Sequence, residues 1–227
     1  MQTTTPPSLS KTVRRERRKD ARPGELMTAA LSLFVEKGFA GTRVEEVAQR
    51  AGVSKGTLFL YFPSKLDLFK AVVRDNIVGC FDEWNTLLDN YEGSTADLVR
   101  LTMRQWWERI GATQASGITK IIMSEGAVFP EIAAFYRQEV IEPGNALIHR
   151  VLSRGMTRGE FHSLNLDHAI PSVIAPMIFM IMWKHAMAPC CPAGTTEQLS
   201  TDPYAYIESQ ADILINGLAA RPASTRT

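Results

Sequence analysis

Apolar residues recur along this chain at helical spacing, and beyond residue 70 no stretch sustains the apolar–polar alternation of a half-buried strand. Leu26, Ala29, Ala30, Leu33 and Phe34 fall at i, i+3, i+4, i+7 and i+8, one face of a helix that Gly38 is placed to stop. Thr42 and Glu45 make a T-x-x-E capping box at the start of a second helix, whose inner face is Val44, Val47 and Ala48. Ala51-Gly52-Val53 breaks it, because glycine takes turn conformations at little steric cost. Ser54 is placed to cap a third short helix ending near Tyr61-Phe62, before Pro63. Ser64 opens a fourth, with Asp67 in its first turn and Leu66, Phe69, Val72 and Val73 on its inner side.

Helical spacing then predicts segments near 64–90, 95–111, 116–125, 130–157, 167–188 and 203–219, with Pro143-Gly144 expected to kink or split the longest. Breaks fall at Gly93-Ser94, Phe129-Pro130, Gly159 and residues 189–201. The fold class is therefore all-α. It divides into a basic N-terminal extension over 1–21, expected to be disordered, a three-helix helix-turn-helix domain over 22–68 and a larger helical domain over 69–227. No internal repeat is present.

A net charge of +1 conceals a polarity: residues 1–74 carry +7 and residues 75–227 carry −6. A basic front suits a polyanion and an acidic rear does not. Residues 11–22 hold seven basic and two acidic side chains with no apolar face. They read either as a solvated tail or frayed helix extension, or as an arm that follows phosphates or enters a minor groove. Three cysteines, Cys80, Cys190 and Cys191, make no disulfide framework and suggest a reducing, cytoplasmic setting. The longest near-apolar stretch, Val173–Trp183, is shorter than the roughly 20 residues that span a bilayer and contains Pro176, so no membrane association is expected. The four histidines, His149, His162, His168 and His185, show no zinc spacing. No nucleophile elbow, phosphate loop or dinucleotide motif occurs, so neither an enzyme, a cofactor nor a metal is expected.

The segment TRVEEVAQRAGVSKGTLFLYFPSKLDLF, Thr42 to Phe69, strongly resembles the DNA-binding domain of TetR-family bacterial transcriptional regulators. The likeness extends over residues 26–70, about a fifth of the chain, in order and spacing; the rest resembles the family only in size and helical pattern. It departs from the family at Phe59, where Tyr is frequent, and at Leu60, where a polar residue or His is frequent.

The resemblance implies that the third helix enters the major groove. Ser54, Lys55, Gly56 and Thr57 lie at its start. Lys55 is suited to guanine or phosphate, Thr57 to base or phosphate, and Gly56 to close backbone approach. Leu60 is placed to touch thymine methyls, and Tyr61 to offer its hydroxyl to a phosphate. Thr42 and Arg43 begin the second helix, whose amides suit a phosphate, and Thr42 and Ser54 can equally be caps alone. Lys65 resembles the family's phosphate-contacting lysine; its unfavourable place at a helix N-terminus agrees with such a role.

Seven of nine methionines and three of four tryptophans lie between residues 103 and 187. Adaptable Met side chains suit an apolar pocket, or simply an irregular core. With the resemblance, the expected effector-binding residues are Met103, Trp107, Met123, Phe129, Phe135, Met177 and Met180. Glu125 is either an orienting group for a cationic ligand or a solvated helix end. Val173 and Ile181, with Ile207, Ala211, Leu214 and Leu218, are expected at a homodimer interface of four helices; the competing reading makes them internal core. The expectation is a cytoplasmic, nucleoid-associated regulator, most simply a repressor. It binds a double-stranded, near-palindromic DNA operator as a homodimer and is released by a small apolar or amphipathic effector. The alternative is a DNA-bound scaffold whose rear half binds a protein partner.

Overall fold

The computed structural model describes residues 10–190 and 202–219, the side chains of 10–22 apart. Among them it holds helices and no strand, only an isolated bridge between Phe161 and Ala219. The chain forms two compact units divided between Val72 and Val73.

In the first unit, α1 (Ser10–Gly41) is interrupted at Gly38, whose φ of 78° and ψ of 175° turn the chain where the sequence predicts a stop. The helix begins at Ser10, inside the stretch 1–21 expected to be disordered. Arg, Lys, Glu and Ala there are strong helix formers and Pro23 is the first proline after Pro7. Residues 1–9 of the extension lie outside the described residues. α2 (Val44–Arg50) and α3 (Lys55–Tyr61) follow. Between them Gly52 has φ 68°, and the amides of Val53 and Gly52 donate to the carbonyls of Ala48 and Gln49 (2.9 and 3.1 Å). This is a Schellman turn, and a residue with a Cβ would be strained at Gly52. α4 is Lys65–Val73. Phe34, Phe39 and Phe69 pack with ring centroids 5.2–5.9 Å apart, and Leu26, Leu33, Val47, Leu58 and Leu68 close the core around them. Arg50 holds Glu36 with two hydrogen bonds (2.6 and 3.0 Å), and Lys37 holds Glu46, tying α1 to α2 at the surface.

In the second unit, a π-helical turn (Arg74–Val78) precedes α5 (Cys80–Asn90). α6 (Thr95–Trp106), α7 (Ser116–Glu125), α8 (Pro130–Tyr136), α9 (Glu142–Thr157), α10 (Leu166–Met182) and α11 (Pro203–Leu218) complete it. The predicted 130–157 segment is split as expected, through a π turn at Arg137–Ile141 ahead of Pro143. Arg74 clasps Glu139 across the two π turns (Nε–Oε2 2.7 Å). The core lies where α6, α9, α10 and α11 meet, around Leu98, Met103, Leu152, Met177, Ile207 and Ala211. Arg100–Asp212 (2.6 Å) and Arg104–Glu208 fasten α11 to α6. The helical run Leu166–Cys190 has 25 residues, and its most apolar 18-residue window has a mean hydropathy of 1.5, long and apolar enough by composition to cross a membrane; it exceeds the length read from Val173–Trp183 because helix continues on both sides of that stretch.

Candidate nucleic-acid interface and ligand cavity

The start of α3 is the exposed face of the first unit. Ser54 caps the helix: its hydroxyl accepts from the Thr57 amide (3.1 Å) and lies 2.9 Å from the Thr57 hydroxyl. Lys55 and Gly56 are exposed and Thr57 is half-buried. A Cβ on Gly56 would meet only the Ser54 hydroxyl, at 3.8 Å. Glycine in a helix costs up to about 1 kcal/mol relative to alanine, and packing within the unit does not require it here. Leu60 is 83% exposed, and the exposed Phe59 ring beside it lies 5.6 Å from the Lys55 ammonium. Leu58 and Phe62 point inward as cores of the turn, and Tyr61 is half-buried at the helix end.

Lys55 is paired: its ammonium lies 2.6 Å from the Glu45 carboxylate. That hydrogen bond holds the Glu45 carboxyl below its ordinary value. Arg43 is exposed at the N-cap position of α2.

Two expected contacts take other partners. Thr42 is 2% exposed and does not cap α2. Its hydroxyl donates toward the carbonyls of Gly38 (2.7 Å) and Leu33 (3.1 Å), and the N-cap position belongs to Arg43. The kink at Gly38 leaves carbonyls of α1 to be satisfied, and they compete for the hydroxyl more closely than the amides of α2. Lys65 sends its ammonium to the carbonyls of Phe39 (2.7 Å), Thr42 (3.2 Å) and Ala40 (3.4 Å), with the Phe39 ring 4.5 Å away. A lysine at the start of α4 is thus accounted for by the carbonyl-rich junction of α1 and α2.

The second unit contains a cavity of about 680 Å³, inside the usual range of roughly 300–1,000 Å³ for small-molecule sites. Of the residues expected to line it, Met103, Met123 and Met177 do. Trp107, Phe129, Phe135 and Met180 do not. Trp107 packs so closely on Gly111 that a Cβ there would sit 2.1 Å from the indole. Phe135 lies under the Arg74 guanidinium (5.1 Å). Met180 is core, and Phe129 is the N-cap of α8. Glu125 is not on the wall; its carbonyl accepts from Val128 and Phe129. The wall is instead completed by Ile77, Phe81, Trp84 and Leu88, the inner face of α5 and the turn before it, and by Tyr136, Ile148 and Val151. Phe81, Trp84 and Leu88 fall at i, i+3 and i+7, a periodicity that sequence reading can find; following methionine alone overlooks it. The exposed wall residues Met123 and Phe179 mark the mouth.

Val173, Ile181, Ile207 and Ala211, expected at a dimer surface, are buried within the single chain, and Leu214 and Leu218 pack against the same core. The 3.6-residue stripe on α11 is real, but it faces α6 and α10 of the same chain. The exposed apolar side chains of these helices include Phe179 on α10 and Ile213 on α11, 48% and 63% exposed, and Tyr204 at the start of α11. Only 22% of the most apolar window of the Leu166–Cys190 run is buried. Cys190 is an exposed free thiol, and Cys191 lies outside the described residues. No cluster of metal-ligating side chains occurs among the described residues.

Residues 26–72 match the family model for bacterial regulatory proteins of the tetR family, and residues 91–190 match that for the tetracyclin repressor-like C-terminal domain. The chain belongs to the TetR family, which comprises DNA-binding transcriptional regulators rather than enzymes. It is 44% identical over 94 residues to the transcriptional regulator RutR of Escherichia coli K12, covering 41% of this chain and 42% of that protein. With the transcriptional activator FasR of Mycolicibacterium smegmatis it shares 42% identity over 76 residues, 32% of this chain and 35% of FasR. The matched part thus spans about two-fifths or less of these relatives. The fold resembles that of FadR from Bacillus subtilis in complex with stearoyl-CoA, with a TM-score of 0.68 at 16% identity over 86% of this chain and 98% of the other.

Proposed function

We propose that this chain is a homodimeric repressor of the cytoplasm and nucleoid that binds a near-palindromic operator and is released by a small apolar or amphipathic effector. The observation that carries the DNA-binding part is the start of α3: Lys55, Gly56 and Leu60 are exposed and Thr57 half-buried on a helix whose Leu58 is locked into the core. Lys55 and Thr57 are suited to base edges or phosphates, Leu60 to thymine methyls and Arg43, Ser54 and Tyr61 to phosphates. Thr42 and Lys65 serve this reading by fixing the junction that aims α2 and α3, rather than by touching DNA.

The cavity supports effector binding over a scaffold that binds only protein. The partly covered α10, with Phe179 and the α11 residue Ile213 exposed, supports a second copy as its cover. FadR's bound stearoyl-CoA is consistent with apolar ligands in this fold. The effector acts by favouring a form with the wrong spacing of recognition helices, and linkage then requires DNA and effector to weaken each other by the same factor. Selection of bound duplexes from a random pool at physiological salt tests the reading. A near-palindrome is expected; salt-sensitive binding without an enriched sequence would contradict it.

A further inference from the structure

Among the described residues, the cavity wall carries no Asp, Glu, Lys, Arg or His. A charge carried into it would lose its hydration without gaining a counter-ion, which is strongly unfavourable. Within that wall two hydroxyls stand out. Thr119 on α7 and Tyr136 at the end of α8 are 4% and 7% exposed, and their oxygens are 3.0 Å apart. Each hydroxyl brings one O–H, and their mutual hydrogen bond uses only one of the two. Neither has another hydrogen-bond partner among the described residues, so one buried O–H remains without an acceptor among them. Thr102, also on the wall, differs: its hydroxyl donates to the Val99 carbonyl (3.0 Å). Burial pushes the Tyr136 phenol above its ordinary value, so it stays protonated at neutral pH. The remaining polar wall groups, Asn145 and the indoles of Trp84 and Trp106, are neutral as well.

We infer that the Thr119–Tyr136 hydroxyl pair recognises an uncharged acceptor oxygen, that of a ketone, ester or alcohol, on an otherwise apolar effector. This rests on the reading of the cavity as the effector site. The ligand's oxygen accepts the O–H that the pair leaves over, and its hydrocarbon body lies against Phe81, Met103, Ile148 and Met177. A carboxylate or ammonium at that position is rejected because the wall offers no opposite charge.

The test uses the full chain and the neutral dye N-phenyl-1-naphthylamine as reporter, displaced by three probes of equal length: 2-decanone, decane and decanoate. At neutral pH 2-decanone is expected to displace the dye at concentrations on the order of ten-fold lower than decane, the size of one net hydrogen bond. Decanoate is expected to be weaker than 2-decanone by at least that factor. The double variant Thr119→Val/Tyr136→Phe, which removes both hydroxyls, is expected to remove most of the ketone's advantage with little change in dye and decane binding, whereas Tyr136→Phe or Thr119→Val alone leaves one O–H and is expected to keep part of that advantage. Decanoate binding as tightly as 2-decanone would overturn the inference, as would a ketone advantage that survives in the double variant or equal losses of ketone and alkane there. If neither the dye nor any probe binds, the cavity is not a ligand site and the reading beneath the inference falls with it.

Discussion

The Lys65 ammonium lies 2.7 Å from the carbonyl oxygen of Phe39, and with the Thr42 and Ala40 carbonyls it closes the junction between α1 and α2. A cation that joins three carbonyls at one junction is a fixing device, because a hydrogen bond to a charged group contributes about 1.5–3 kcal/mol. Lys65→Ala is therefore expected to destabilise the DNA-binding unit by about that amount, read as a lower midpoint in thermal or urea unfolding. DNA affinity should fall with the salt slope unchanged. An unchanged midpoint together with a slope shallower by roughly one would instead place the ammonium on a phosphate.

Glu45 holds Lys55 at 2.6 Å on the face proposed to meet DNA. A carboxylate there both occupies the lysine and repels phosphate. Glu45→Gln is expected to tighten operator binding several-fold at low salt, with a smaller gain at high salt, since both groups are exposed and screened. Fluorescence anisotropy across a salt series measures this. Weaker binding in Glu45→Gln would show that the carboxylate reads a base, for which cytosine N4 is the natural donor.

An exposed Leu60 should sense thymine methyl groups. Replacing individual operator thymines by deoxyuridine is expected to cost about 0.8 kcal/mol at the position Leu60 touches, the value of one buried methyl-sized group. Leu60→Ser should abolish that difference and leave the other positions as they were.

His185 sits 2.8 Å from the Ser116 hydroxyl, and burial, with Lys184 and Lys120 nearby, depresses its pKa below the ordinary 6.5. The unfolded chain then binds a proton that the native chain refuses, so the unfolded state gains as pH falls. Stability from this site is complete above about 6.5, declines as pH drops below it and levels off beneath the depressed native value. His185→Gln should flatten the urea-midpoint profile across that window relative to the parent chain.

Much of this was legible in the residues. Gly38 and Gly52 sit at positive φ as their place after helical runs implies, and Ser54 caps α3. The helical segments of the rear half fall close to where periodicity puts them. What sequence could not carry was direction. Thr42 has the spacing of a capping box, yet its hydroxyl turns back to α1, because which orphaned backbone group is nearer depends on the kink at Gly38. The stripe Ile207–Ala211 reads equally as a dimer face or a core face, and only the packing of α11 on α6 decides it. Trp107 and Phe81 are both large aromatics at helical spacing; the close approach at Gly111 sends the first to core packing, while the second reaches the cavity.

The most direct test of a two-fold DNA reader is a hydroxyl-radical footprint of the full chain on its selected operator. Two protected segments related by the palindrome, centred about 34–36 Å apart on one face of the duplex, are the predicted result. Protection of a single segment, or unphased protection along the whole duplex, would contradict it.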